Sequence, residues 1–463
     1  MNTLIVVAVL GIISMLSDIL GYRKILFPIV LAGLLLALGV TVSEWNSQTV
    51  YFDMLLIDNY SVAFSSLILG LLFIWILLSQ EQYKLEFNMA DQFALIFFSS
   101  VGALVLVSFS SLVMLFIGIE VMSIPLYILA GSRKSDLRSN EASLKYFMMG
   151  AFTTGILLFG IALIYGATGS FDIAIIKEYV SQNATSGISG LLYTGVIFMI
   201  IALCFKVSAV PFHFWSPDVY QGAPMMITTF MASIVKTAAF GAFYRLFGYA
   251  LADIGHHWAP ILSIVIIATI LAGNIMAVNQ TNVKRMLAYS GISQAGYMLM
   301  TLLVLNDNSA NALLFYAGSY ALATMTAFFI LYMVSEGKED EGVEVFNGLS
   351  KKQPLLAVIM TVSMLSLAGI PPAVGFFAKF YLFTAVLNAG HTSLVIIAVI
   401  GSIISVYYYF KIIIAIYGKE SSSEVSPSQA SFKLSAIYQT ILIVLVTLIV
   451  LFGINPNILI GVI

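Results

Sequence analysis

Four ionisable side chains stand inside long apolar stretches of this chain. Glu120 lies in LVMLFIGIEVMSIP, Lys206 in CFKVSAVPFHFW and Lys236 in FMASIVKTAAFGAF, and Lys379 ends the run SLAGIPPAVGFFAK. A charged group at the centre of a bilayer costs at least about 2.5–3.5 kcal/mol, so each must face a partner or water inside a helix bundle. Intramembrane carboxylates and amines of this kind are typical of proton relays. The residue types therefore predict proton movement along a buried line of side chains.

Each of these residues also has a structural alternative. Glu120 is alternatively a protonated side chain held by hydrogen bonds, and Lys206 alternatively extends its ammonium group to the nearby membrane surface. Pro211 breaks the helix after Lys206 and frees backbone carbonyls, which favours a functional role. Lys236 lies too deep to reach the surface. The span that contains Lys379 is too long for one straight helix and holds two adjacent prolines, so it is predicted to break as well.

A second group of polar residues lies nearer the predicted cytoplasmic side. His213, Asp218 and Tyr220 are predicted to lie in the loop after span seven, where they either cap broken-helix ends or form part of a proton entrance. Lys411 is placed near the end of span thirteen. It is predicted to be an interfacial anchor, with proton entrance or support as the alternative.

The composition places the whole chain in lipid. Of 463 residues, 60% are hydrophobic and only 9% are charged, whereas a soluble domain has about a quarter charged residues. The net charge of -2 offers no basic patch for nucleic acid. A single cysteine, Cys204, excludes an intrachain disulfide, and no cysteine or histidine cluster has the spacing of a metal or iron–sulfur site. The sequence therefore predicts no cofactor and no metal in this chain.

Scanning for apolar runs long enough to cross about 30 Å of hydrocarbon gives about fourteen spans. The predicted fold is therefore all-α and polytopic, with spans seven and twelve broken. The predicted spans are 3–20, 25–43, 58–79, 93–108, 111–130, 142–166, 188–210, 226–250, 258–279, 284–304, 308–334, 354–388, 393–417 and 432–453.

The basic residues predict the orientation, because loops rich in lysine and arginine stay in the cytoplasm. Fourteen of the 20 basic residues follow odd-numbered spans, so both termini are predicted to face away from the cytoplasm. These residues are Arg23, Lys24, Lys84, Arg133, Lys134, Arg138, Lys145, Lys284, Arg285, Lys338, Lys351, Lys352, Lys419 and Lys433.

We expect one membrane domain, 1–463, with internal subdivisions. Residues 1–92 are predicted to form three N-terminal helices, 93–250 and 258–418 two five-helix repeats, and 432–463 a C-terminal helix. Because five is an odd number, the second repeat must be inverted relative to the first.

Two stretches are more specific than this general pattern. The chain reads FKVSAVPFHFWSPDVYQGAP from Phe205 and NVKRMLAYSGISQAGYML from Asn282. Both resemble signatures of the antiporter-like membrane subunits of respiratory complex I, the proton-pumping NADH:quinone oxidoreductase, which are related to subunits of multisubunit sodium/proton antiporters. The VYQGAP loop and the stretch GSRKSDLRSNEASLKYF are similar to the N-type subunit rather than to the L and M types. The resemblance covers nearly the whole chain.

The resemblance implies a role as a subunit of that enzyme. Glu120, Lys206, Lys236 and Lys379 fall on family positions that form a hydrated axis in the membrane plane. The family subunit holds no redox centre, since FMN, iron–sulfur clusters and quinone belong to other subunits. The implied partners are the M-, K-, J- and L-type membrane subunits, and the implied location is the bacterial plasma (inner) membrane. A subunit of a cation/proton antiporter and a non-pumping scaffold remain the alternatives.

Overall fold

A computed structural model describes residues 1–85, 89–184, 187, 189–306, 308–335, 341–418 and 435–456, with residues 81–85 described by their backbone alone. Lys338, Lys419 and Lys433, which contribute to the predicted orientation, lie outside these residues, as does the side chain of Lys84.

The described chain is built almost entirely of helices. The helices are α1 Asn2–Ser17, α2 Arg23–Ser43, α3 Asn59–Leu85, α4 Met89–Ser108, α5 Leu112–Ala130, α6 Leu137–Thr168, α7 Ile173–Asn183, α8 Gly190–Val207, α9 Trp215–Gly222, α10 Met225–Phe230, α11 Lys236–Tyr244, α12 Gly255–Val278, α13 Val283–Leu299, α14 Ser309–Ser335, α15 Leu349–Lys352, α16 Pro354–Ala368, α17 Val374–Asn388, α18 Thr392–Tyr417 and α19 Ala436–Ile454.

The predicted all-α polytopic fold is confirmed. Eleven helical segments in the described residues are long and apolar enough to cross a membrane. The shorter helices α1 and α13, and the pair α16–α17, coincide with the three remaining predicted spans. The near absence of a loop between spans four and five is also confirmed, since α4 ends at Ser108 and α5 begins at Leu112.

Two small elements were not predicted. Strands β1 Thr49–Tyr51 and β2 Leu55–Ile57 form an antiparallel hairpin in which Val50 pairs with Leu56. Helix α7 lies between α6 and α8, and its buried residues are Ile173, Ile176 and Val180. This spacing places them on one face, which is typical of a short helix packed against a bundle rather than across a membrane.

The two predicted helix breaks have the same local form. After α8, Ser208 adopts the left-handed conformation with φ 64°, and Pro211 follows three residues later. After α16, Gly369 has φ 80° and Pro372 follows at the same interval. A left-handed residue ends a helix, and a proline prevents its immediate continuation. Each break therefore leaves backbone groups of the interrupted span available to side chains.

Lys236 lies on one of the most deeply placed spans. Residues Met225–Ala250 and Ser309–Ser335 are the two spans whose apolar windows are wholly buried, whereas only 28% of such a window is buried in α19. The first of these spans is irregular, because π-helical turns at Met231–Val235 and Arg245–Ala250 flank α11. Such turns often occur at functional sites. Hydropathy did not predict them.

Close packing at the second break depends on a glycine. The backbone N–H of Gly375 donates to Ser366 Oγ at 3.2 Å, and a Cβ on this glycine would collide with the backbone carbonyl of Ser366. Backbone atoms cannot move aside as a flexible side chain can, so any larger residue here must displace α17 from α16.

We therefore expect Gly375→Ala to lower the thermal stability of the protein in its native assembly by about 1–3 kcal/mol or more. Gly39→Ala is the matched control, because no atom lies within 4 Å of a Cβ at that position. Thermal unfolding of the detergent-solubilised assembly measures both. Equal midpoints for the two variants would contradict the packing at the break.

Candidate functional site

Lys206 lines a small cavity between α5, α6 and α8, and Glu120 is linked to the same cavity through Thr154. Thr154 Oγ1 donates to Glu120 Oε1 at 2.6 Å, and Lys206 Nζ donates to Ser123 Oγ at 2.6 Å. Ser123 donates in turn to the carbonyl of Ile119. A cavity of ≈ 20 Å³ is lined by Ser123, Thr154 and Lys206. Because about 10–15 Å³ suffices for one water, the cavity can hold water beside Lys206 and beside Thr154, whose hydroxyl binds the Glu120 carboxylate.

Aromatic side chains occupy the other side of Lys206. Its Nζ lies 5.8 Å from the ring centre of Tyr146, which stacks on Trp215 at a centroid distance of 4.8 Å. Trp215 Nε1 donates to the carbonyl of Phe205 at 3.1 Å, which fixes the indole at the break. These rings favour a cation on the lysine but provide little room for water.

Lys236 is held in the interior by backbone rather than by a counter-ion. The residue is 3% exposed, and its Nζ donates to the carbonyl of Gly291 on α13. The ring centre of Tyr320 lies 5.6 Å away. Among the described residues, no acidic side chain forms a salt bridge with it.

Lys379 uses a carbonyl that the second break exposes. Its Nζ donates to the carbonyl of Ala368, the last residue of α16, at 3.0 Å, and to Ser402 Oγ at 2.9 Å. An uninterrupted helix would have bound that carbonyl internally. The predicted combination of a broken helix and a lysine is therefore present at this site.

A polar path connects the surroundings of Lys236 with Lys379. Gln294 Nε2 donates to the carbonyl of Leu367 at 3.0 Å, and its Oε1 accepts from the hydroxyl of Tyr316 at 2.6 Å. Hydropathy gave no signal for Gln294, which is 2% exposed. A cavity of ≈ 10 Å³ is lined by Gln294, Tyr316, Tyr320 and Lys379.

The structure thus brings the four predicted residues together as two pairs. Lys206 lines the first cavity together with Thr154, the partner of Glu120, while Lys379 lines the second cavity together with Tyr320, whose ring lies beside Lys236. The hydrogen bonds of Lys206 lead only to Ser123, and those of Lys236 only to Gly291. No side-chain hydrogen bonds join the two pairs within the described part of the chain.

Asp218 and Tyr220 lie in helix α9, not in a loop, and the loop prediction for them is wrong because a second helix begins directly after the break. Asp218 accepts from Lys145 at 2.8 Å and from Arg285 at 2.7 Å. These ion pairs tie α6, α9 and α13 together. Their partly exposed side chains make each pair worth only about 0–1 kcal/mol.

The other predicted support residues occupy three different environments. Tyr220 is 2% exposed, and His213 is 4% exposed with no hydrogen-bond partner for Nδ1 in the described residues. Lys411 is half-buried and donates to the carbonyl of Gln280 at 3.3 Å. Their roles as proton entrance or support stay predictions.

Sequence reasoning missed two buried basic residues. Lys284 contributed only to the orientation, yet it is 3% exposed. Arg245 is 5% exposed, and its Nη2 donates to Asp58 Oδ1 at 2.6 Å. The apolar run FYRLFGYA around Arg245 could have indicated a buried charge. Lys284 lies at the start of α13, where lysines usually reach water, so its sequence position gave no indication of burial.

The described residues contain no group of three His, Cys, Asp or Glu side chains arranged to hold a metal.

Comparison with known sequences gives a consistent set of relatives. The family described as "NADH:quinone oxidoreductase/Mrp antiporter, TM" matches residues 110–405. A protein of Cytophaga hutchinsonii named NADH-quinone oxidoreductase subunit N is 50% identical over 99% of this chain and 98% of its own length. A protein of the same name from Flavobacterium psychrophilum is 45% identical over 99% of each chain.

Comparison with solved structures supports the same architecture. A chain of respiratory complex I from Thermus thermophilus is 30% identical, with a TM-score of 0.83 over 98% of this chain and 97% of its own. A chain of the Mrp complex from a Dietzia species has a TM-score of 0.84 over 99% and 95% of the two chains, at 22% identity. The second likeness concerns the fold alone.

The buried Asp58–Arg245 pair generates a test of its own. Asp58→Asn leaves a guanidinium whose side chain is 4% exposed without a counter-charge. Breaking a fully buried pair costs about 3–5 kcal/mol, and the partial exposure of Asp58 lowers our expectation to about 1–3 kcal/mol. Asp53→Asn, an exposed residue nearby, is the control. A thermal midpoint for Asp58→Asn equal to that of the control would show that the pair does not contribute to stability.

Proposed function

The chain belongs to the family of NADH-quinone oxidoreductase N subunits, and on this basis we propose that it translocates protons through the Glu120–Lys206–Lys236–Lys379 line. Quinone reduction elsewhere in the complex supplies the free energy. This chain contributes the buried groups that take up, hold and release the protons.

The placement of Lys236 carries this proposal. An amine that is 3% exposed on a wholly buried span, with one backbone carbonyl as its hydrogen-bond partner, is an expensive feature if it serves only to hold helices together. Apolar residues of similar size usually stabilise an interior at least as well as buried charges do. A scaffold therefore has no need of Lys236, whereas a relay needs a buried group that changes its charge.

The electrostatic energies involved match the movement of one proton at a time across the membrane. Two unit charges about 6 Å apart interact by about 3 kcal/mol at an effective dielectric near 20. Moving one charge against 100 mV requires about 2.3 kcal/mol. Making or breaking one Glu120–Lys206 interaction is thus of the right size to move one proton uphill, provided that a neighbouring subunit forces the change.

The assembly and location follow from the same proposal. The M-, K-, J- and L-type membrane subunits are the proposed partners, and FMN, iron–sulfur clusters and quinone remain with other subunits. The proposed location is the bacterial plasma (inner) membrane, with both termini on the non-cytoplasmic side, as the distribution of basic residues predicts.

A subunit of a cation/proton antiporter is the second candidate, since the fold is shared with a chain of an Mrp complex. Purification of the chain from its native membrane distinguishes the two. Co-purification with flavin and iron–sulfur subunits supports the first candidate, and their absence from a stable assembly supports the second.

We expect Lys236→Ala, in an assembled complex, to lower both quinone-linked turnover and proton pumping at least about tenfold, because the interior then lacks its central proton acceptor. NADH oxidation and vesicle acidification measure the two activities. Lys351→Ala, an exposed lysine, is the control. Full pumping by an assembled Lys236→Ala complex would remove this residue from the path.

We expect Glu120→Gln to impair turnover more than Lys411→Ala does. The first substitution keeps the shape of the side chain but removes the titratable carboxyl that Thr154 binds beside the first cavity. Lys411 is half-buried, as Glu120 is, but its hydrogen bond goes to the carbonyl of Gln280, which is not one of the four residues of the proposed path. Parallel rate measurements on the two assembled variants decide the order. The reverse order would mean that Glu120 is not part of the path.

A further inference from the structure

An open cleft lies between the loop after α5 and the start of α13. It is on the face that carries most of the basic residues and is predicted to be cytoplasmic, which we call the basic side. Its volume is ≈ 250 Å³, and an adjoining cleft of ≈ 260 Å³ contains Lys145 and Asp218. Both are large enough for many water molecules. The residues that give the first cleft its charge are Arg133, Asp136, Arg138, Lys284 and Glu341.

Lys284 lines this cleft but its ammonium group turns away from solvent. The side chain is 4% exposed, and Nζ donates to the carbonyl of Ala223 at 2.6 Å. Glu341 Oε1 is 3.8 Å away. Lys351 and Lys352, on the same face, are exposed as surface lysines usually are. A lysine at a helix start that could reach water easily is therefore held inside.

Helix α13 connects Lys284 directly with the interior site. Lys284 and Gly291 are seven residues apart, which is two helical turns, or about 10 Å along one face. The carbonyl of Gly291 accepts the hydrogen bond of Lys236. A Cβ on Gly291 would lie 2.8 Å from the hydroxyl of Tyr320 and 3.3 Å from Lys236 Nζ, so these two groups converge on that glycine.

The geometry points to Lys284 as a further proton-carrying residue, which receives protons from the water of the cleft and passes them inward to Lys236. This inference rests on the proposed function and assigns the side from which Lys236 is protonated. A hydronium ion in the cleft gives its proton to the neutral amine of Lys284 and leaves as water. The resulting ammonium returns to the neutral amine when its proton moves, through water, to the neutral amine of Lys236.

A purely structural role gives different expectations. In that case Lys284 only holds the turn at Ala223 by its positive charge and hydrogen bonds. Arginine preserves both but does not release its proton in proteins, and methionine preserves only the length of the side chain. The two roles are therefore separated by comparing Lys284→Arg with Lys284→Met.

We expect both variants, in assembled complexes, to pump protons at least about tenfold more slowly than wild type, with Lys352→Met as the control at wild-type rate. Wild-type pumping by Lys284→Arg would leave only the structural role and overturn the inference. Wild-type pumping by Lys284→Met would overturn it as well. Lys236→Ala is measured in parallel: if it fails to pump while both Lys284 variants pump normally, the inference fails and the proposed function stands.

Chemical rescue of a cysteine variant tests the role of Lys284 without requiring the protein to accommodate an arginine at this buried position. The chain has one cysteine, Cys204, which is buried, so Lys284→Cys introduces a second thiol that lines the cleft. A 2-aminoethyl thiosulfonate reagent added from the basic side forms a disulfide that carries a titratable amine. The matching trimethylammonium reagent adds a permanent charge. Mass spectrometry of the peptide establishes that each reagent has reacted.

We expect the aminoethyl reagent to restore at least about one third of the wild-type pumping rate and the trimethylammonium reagent to restore none. Rescue by both reagents would show that only the positive charge of Lys284 is needed, which would overturn the inference. Absence of rescue after complete aminoethylation, or absence of labelling from the basic side, would also overturn the inference.

Discussion

The dominant constraint on this structure is that an ammonium group buried away from water must obtain its hydrogen-bond acceptors from the protein itself. In a regular helix each carbonyl already accepts from an N–H four residues on, so a buried ammonium must either share such a carbonyl through its second lone pair or find one that a break has freed. The break after α16 frees the carbonyl that Lys379 uses. Lys206 uses a serine hydroxyl, and Lys236 uses the carbonyl of Gly291 on a neighbouring helix. Lys379 therefore depends on broken backbone, whereas Lys206 and Lys236 depend on groups of neighbouring helices.

The two pairs of ionisable residues differ in their surroundings. Glu120 and Lys206 have opposite charges next to one cavity, so a proton moved there changes a direct electrostatic interaction. Lys379 shares its cavity instead with neutral groups, Gln294, Tyr316 and Tyr320, and the ring of Tyr320 lies beside Lys236. Aromatic rings stand beside both pairs, since Tyr146 lies next to Lys206 and Tyr320 next to Lys236. In the proposed mechanism, hydration must change in this aromatic region for protons to pass from one pair to the other.

Hydropathy and a few residue types predicted much of this arrangement. Uninterrupted apolar runs specify spans in lipid because every backbone group must be satisfied internally, so the spans could be placed to within a few residues. Pro211 and the Pro371–Pro372 pair indicated the breaks for a steric reason that acts locally. The depth of Lys236 within its span marked it as unusual without any knowledge of its neighbours.

The remaining features depend on tertiary contacts that leave no local signal. Whether Lys284 turns inward or outward depends on where the carbonyl of Ala223 lies, 61 residues away in sequence. The same holds for Gln294, whose partners come from α14 and α16. Asp218 and Tyr220 were misplaced because a proline-containing segment can continue either as a loop or, as here, as a new helix.

The central claim is that four ionisable groups, three buried lysines and the half-buried Glu120, share one hydrated route through the bundle. A high-resolution density map of the assembled complex, detailed enough to show ordered water, tests it most directly. The account predicts water density in the cavity beside Glu120 and Lys206, density along the Gln294 path between Lys236 and Lys379, and, in at least one state of the complex, water that bridges the aromatic region between the pairs. Dry, tightly packed apolar layers between these side chains in every state would contradict it.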